Sequence, residues 1–190
     1  MQNASHDPQV LPDNLPVPQD DGAADHLTGM KCADVSLPAT DRTRVNLSGL
    51  PGRTVVYAYP RTGVPGQDMP EGWDAIPGAR GCTPQSCAFR DHFAELTALG
   101  VTHVHGLSTQ STAYQREAAE RLHLPFPLLS DEDTRLAAAP LRLPTFEAGG
   151  TRYKRLTLVI ADGRVEHVFY PAFPPDTHAS EVLAWLLQKA

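Results

Sequence analysis

No block of basic residues stands out anywhere in this sequence, whose 190 residues carry a formal net charge of −6 and a pI near 5.7. Without a positive field to gather phosphates, nucleic-acid binding is not expected. Long apolar runs are missing too. The longest, such as 156–161, fall far short of the roughly 20 residues that a membrane-spanning helix needs. The N-terminus has no basic segment followed by an apolar stretch. A cytoplasmic protein that works away from the membrane is therefore expected. Cysteine is scarce, and three of them do not make a disulfide scaffold of the secreted kind. Redox chemistry and metal binding are the uses that remain for them.

What is present suits one compact domain with some tail left over, since 41% hydrophobic residues suffice for a core at this length. Residues 1–25, rich in Pro, Asp, Asn and Gln with little apolar periodicity, are expected to form a mobile tail, leaving 26–190 as the domain. Residues 34–37 and 44–47 alternate polar and apolar side chains and read as an N-terminal hairpin turning at 38–41. The nearly continuous apolar run 54–59, ended by Pro60, reads as a strand covered on both faces. A long Gly- and Pro-rich connection, 61–81, leads from it to a cysteine pair.

With Thr83 as cap and Pro84 at the first helical position, Phe89, Phe93, Leu96 and Leu99 recur at helical spacing until Gly100. Further along, 101–107 reads as a strand, 111–122 as a helix, 126–129 as a short strand and 133–139 as a short helix. Strands 156–160 and 165–169 flank Asp162-Gly163, a hairpin turn signal. A last helix aligns Val182, Leu183, Leu186 and Leu187. This order implies a central mixed β-sheet flanked by helices, with the N-terminal hairpin as an extension, and a thioredoxin-like α/β domain fits it.

Cys82 sits where a helix begins, so backbone N–H groups and the helix dipole favour its thiolate. The irregular Pro77-Gly78-Ala79-Arg80-Gly81 before it can bring N–H groups close to a bound oxygen, and Arg80 adds positive charge. A thiolate there could attack a peroxide to give a sulfenic acid, which Cys87 could condense into a disulfide. Other readings stay open. Cys87 could be a small buried apolar residue and Cys82 incidental, and Cys32 could be a free structural thiol. His103 and His105 share one strand face and could hold a metal, yet a structural site needs four ligands and no second cysteine cluster exists. A thioredoxin-type exchange motif has two residues between its cysteines, whereas four intervene here.

The segment Gly81-Cys82-Thr83-Pro84-Gln85-Ser86-Cys87-Ala88-Phe89-Arg90-Asp91 closely resembles the active site of the PrxQ peroxiredoxins, also called bacterioferritin comigratory proteins. The resemblance extends through Tyr59-Pro60, through 126–133 and through 155–168, and so covers roughly residues 30–190. It implies a thioredoxin fold, Cys82 as peroxidatic and Cys87 as resolving cysteine, an arginine at Arg155 that holds thiolate and peroxide oxygens, and Gln85 orienting the site. It further implies a thiol-dependent peroxidase acting on hydrogen peroxide or organic hydroperoxides, recycled by thioredoxin or a similar dithiol, without cofactor or metal, as a monomer or weak dimer. A non-peroxidase redox protein on the same fold, exchanging disulfides or sensing peroxide, is the alternative. One departure concerns the reaction: Ala79 stands where the family has Thr or Ser, three residues before the peroxidatic cysteine. The family proline has its counterpart in Pro60, separated by an insertion around 69–76, and Thr62 is the candidate replacement hydroxyl. With no replacement, the peroxide step is expected to slow by roughly one to three orders of magnitude.

Overall fold

The apolar run after Arg53 lies at the middle of a five-stranded sheet, as its pattern predicts. In this computed structural model, which describes residues 7–190, the elements are β1 (Ser36–Pro38), β2 (Arg44–Asn46), β3 (Arg53–Ala58), α1 (Cys82–Asp91), α2 (Phe93–Ala98), β4 (Val101–Ser108), α3 (Thr112–Arg121), β5 (Leu128–Ser130), β6 (Thr145–Glu147), β7 (Thr151–Tyr153), β8 (Leu156–Ala161), β9 (Arg164–Phe169) and α4 (His178–Leu187). The main sheet runs β5-β4-β3-β8-β9, with β3, β4 and β5 parallel and β8 and β9 antiparallel to their neighbours. Asp162 and Gly163 both take positive φ, 46° and 76°, as a two-residue hairpin turn requires.

Strand alternation sorts β3 between two cores. Val55 and Tyr57, with Tyr59 just beyond the strand, pack with Phe89, Leu96, Val182 and Leu186 from the helices, while Val56 and Ala58 pack with Leu27, Leu37, Leu47 and Tyr153 on the other side. Because both faces are covered, every β3 residue from Thr54 onward is buried.

Several boundaries differ from the sequence expectation. The helix starts two residues earlier: Gly81, at φ 101°, is the N-cap and Thr83 lies inside α1. Only glycine serves there, because φ is left-handed and a Cβ would run into Pro175 and Leu11. The single helix expected up to Gly100 is broken at His92 (φ −96°, ψ 6°), so Phe93 and Leu96 belong to a separate short helix. Leu187 is 62% exposed and leaves the apolar face of α4 to Val182, Leu183 and Leu186. Only a 3-10 turn, Arg135–Ala137, forms within 133–139. The β6–β7 hairpin, with Gly149 and Gly150 at its tip, is an addition.

Residues 1–6 of the expected tail lie outside the described residues. Residues 7–25 form a strap against the domain. Arg80 donates to the carbonyls of Asp7 and Val10, Leu11 lies against Gly81, and Pro18 lies against Gly78. The carboxylate of Asp21 receives hydrogen bonds from Lys154 (2.6 Å) and the Tyr170 hydroxyl (2.7 Å).

Candidate active site

Three stretches converge at one end of the sheet. Ala58, the last residue of β3, is paired with Leu156, the first of β8, so the chain leaving β3 and Arg155 just before β8 meet above the start of α1. Pro60 ends β3's run, and the next amide, Arg61 N–H, points at Cys82 Sγ at 3.4 Å. Arg155 Nη2 lies 3.1 Å from the same sulfur. The guanidinium is locked from behind. It donates to the carbonyls of Gly78 (3.2 Å), Ala79 (3.2 Å) and Arg80 (3.0 Å), and to the side-chain oxygen of Gln85. Both Cys82 and Arg155 are buried. With no side-chain cap at Gly81, the free N–H groups of the first turn add their field to that of Arg155 at the sulfur.

The arrangement can hold a thiolate and can align an incoming oxygen. The irregular 77–81 backbone offers the carbonyls of Gly78, Ala79 and Arg80, and these aim Arg155. Arg80 lines the cavity over Cys82, with its Nη1 paired to Asp74 (2.9 and 3.0 Å) while its Nη2 holds the strap. Of the residues singled out in the sequence, Cys82, Arg155 and Gln85 are brought together. Cys87 sits farther along α1, half-buried, and burial pushes its thiol up from the ordinary value although Arg90 pulls the other way. Cys32 is buried elsewhere, and burial pushes its thiol up to about 11.

Thr62 does not reach the sulfur's cluster. Its N–H and hydroxyl both donate to Gln110 Oε1, and its carbonyl accepts from Tyr114. Thr83 is the residue sequence reasoning missed. Its hydroxyl is buried without a partner among the described residues, and it lines the same small cavity as Cys82. That cavity, about 10 Å³, is walled by Pro8, Arg61, Met69, Trp73 and Thr83 over Cys82. The signal in the sequence was its place directly after the cysteine, which the capping assignment had absorbed.

Beneath α1, Phe89 is fully buried and stacks on Tyr57 (centroids 4.5 Å apart, planes at 6°), whose hydroxyl donates to Ser86. His178 packs edge-on against Phe89, with Nε2 2.8 Å from the Thr157 hydroxyl and Nδ1 3.0 Å from Glu181. Burial lowers its pKa, with nearby Arg155 acting in the same sense and Glu181 opposing. His103 and His105 stack 6.2 Å apart, but no group of three potential metal ligands occurs among the described residues.

The redoxin family pattern matches residues 27–186. Peroxiredoxin Bcp of Escherichia coli K12 is 35% identical over 170 residues, spanning 85% of this chain and 98% of its own length. Chloroplastic peroxiredoxin Q of Oryza sativa subsp. japonica is 32% identical over 157 residues, 82% of this chain and 64% of its own. Among solved structures, peroxidoxin BcpB of Mycobacterium tuberculosis superposes with a TM-score of 0.67 at 30% identity, covering 87% of this chain and 99% of its own. A thioredoxin-like fold follows, and the non-peroxidase alternative is not favoured. A buried cysteine at a helix start without a side-chain cap, an arginine locked upon it and relatives of this kind agree: the chain belongs to the redoxin family, as a peroxiredoxin of the Bcp and Q type.

Proposed function

We propose that Cys82 is the peroxidatic cysteine of a thiol-dependent peroxidase that reduces hydrogen peroxide or organic hydroperoxides, and that Cys87 resolves it. The Cys82 thiolate attacks the terminal peroxide oxygen and the O–O bond breaks. Cys82 becomes a sulfenic acid, and the leaving oxygen takes up a proton as water or alcohol. Attack by Cys87 on the sulfenic sulfur then releases water and leaves a Cys82–Cys87 disulfide. Thioredoxin or a similar dithiol reduces it by exchange.

In this reading Arg155 holds the thiolate and the polarised peroxide oxygens, Gln85 fixes Arg155, and the Thr83 hydroxyl supplies the neutral donor and acceptor that Ala79 cannot. A dithiol supply of this sort fits the cytoplasm. The observation that carries the reading is the 3.1 Å approach of the buried Arg155 guanidinium to Cys82 Sγ. Peroxide consumption coupled to thioredoxin, thioredoxin reductase and NADPH tests it. Turnover lost in Cys82→Ser and confined to one sulfenic-acid-forming event in Cys87→Ser is the expected result. Wild-type turnover surviving in Cys82→Ser would overturn it.

A further inference from the structure

Space above Cys82 is tightly limited. A cavity of about 10 Å³ holds roughly one water-sized sphere. Hydrogen peroxide, with two heavy atoms, needs one side chain to shift a little. A cumyl hydroperoxide needs a whole wall to retreat.

Two walls close the cavity, and both are fastened. Trp73, from the 61–81 connection, is itself buried and packs 6.3 Å from Phe146. The second wall is the strap, whose Pro8 is buried at the cavity. Arg80 ties the two walls to each other, since its Nη1 grips Asp74 beside Trp73 while its Nη2 holds the strap carbonyls of Asp7 and Val10. Farther along, Leu11 on Gly81, Pro18 on Gly78 and Asp21 on Lys154 and Tyr170 keep the strap down.

We infer that residues 7–21 form a size filter, which restricts Cys82 to hydrogen peroxide and other very small peroxides and excludes bulky organic hydroperoxides. This rests on the peroxidase reading and narrows its substrate class. Discrimination arises because a large substrate must break the strap's anchors before its peroxide oxygen reaches the sulfur, whereas a small one leaves them in place.

The test loosens the strap at anchors that do not line the cavity. Leu11→Ala/Asp21→Ala in the full-length chain is compared with wild type on hydrogen peroxide and cumene hydroperoxide, and Asp74→Ala serves as an independent second variant. Wild type should favour hydrogen peroxide. Both variants should raise kcat/KM for cumene hydroperoxide about tenfold or more, while the hydrogen peroxide value stays within about twofold. Equal wild-type use of both peroxides, or changes that move both substrates together, would overturn the inference. Site-resolved mass spectrometry of Cys82 labelling by iodoacetamide and by N-phenylmaleimide reads access without any turnover. The variants should accelerate the bulky reagent selectively, and an unchanged reagent ratio would refute the filter. A protein that consumed no peroxide yet showed the selective labelling would refute the peroxidase reading and leave the filter standing.

Discussion

Phe89→Ala should make the Cys82–Cys87 disulfide harder to reduce. Both cysteines lie in the regular helix α1, five positions apart. Five residues rise about 7.5 Å with a net rotation of about 140°, which puts the two Cα atoms about 8 to 9 Å apart. A disulfide spans at most about 7 Å between Cα atoms, so oxidation has to unwind the start of the helix. Unwinding withdraws Phe89 from its stack on Tyr57 and breaks the Tyr57–Ser86 hydrogen bond. Truncating a buried phenylalanine costs about 3 to 5 kcal/mol. In the reduced protein that cost is felt in full, and in an unwound oxidised protein hardly at all. The dithiol is therefore destabilised relative to the disulfide. At 30 mV per 1.4 kcal/mol the reduction potential should fall by about 60 to 110 mV. Equilibration in a series of dithiothreitol redox buffers, with the disulfide fraction read by mass, measures it. Hydrogen exchange across 85–90 should accelerate on oxidation in the wild type. An unchanged potential in a variant whose oxidised and reduced forms lose equal stability would mean that Phe89 stays packed in both, and the unwinding argument would fail.

Arg155→Met should slow the peroxide step by about 10²- to 10³-fold and slow Cys82 alkylation at neutral pH, with the fold kept; stopped-flow peroxide kinetics and alkylation rates read this. Thr83→Val should lower kcat/KM for peroxide by about tenfold or more and Thr83→Ser should restore it; equal loss in both would assign the residue to packing. Cys87→Ser should accumulate sulfenic and then sulfinic acid at Cys82 under excess peroxide, seen as added oxygen mass. His105 is held down to about 4, chiefly by burial, with His103 acting in the same sense and the Pro127 carbonyl and Asp41 opposing. Its folded value lies below the ordinary 6.5, so its contribution to stability is complete above about pH 6.5 and is lost as pH falls toward 4, amounting to roughly 3 kcal/mol. His105→Gln should flatten that part of a urea-midpoint against pH curve.

The sheet centre and the cysteine pair were legible because each has a local signature: an unbroken apolar run for a strand covered twice, Asp-Gly for the β8–β9 turn, and a cysteine at a helix start. The break at His92 has none, since the apolar period continues through Phe93 and Leu96 on either reading. Three-residue strands such as β6 and β7 are too short for alternation to register, although Gly149-Gly150 was a turn signal in plain view. Arg155 was assigned only through resemblance, because the groups that aim it are backbone carbonyls more than seventy positions away in sequence. Carbonyl contacts of the same kind fasten the strap, and side-chain periodicity carries no record of them. Thr62 had the right chemistry in the sequence, and Gln110, 48 positions on, claims its hydroxyl.

Cys32 gives this oxidant-handling chain an internal reference. A thiol pushed up to about 11 is ionised at pH 7 to roughly one part in 10⁴, and its burial keeps reagents out as well. In the native protein it should stay silent while Cys82 and Cys87 pass through the proposed cycle. It becomes countable once the packing of its neighbours Leu27, Leu37 and Leu47 gives way. One labelling time course should thus carry two clocks, one set by the proposed reaction at the helix start and the other by cooperative opening of the opposite core.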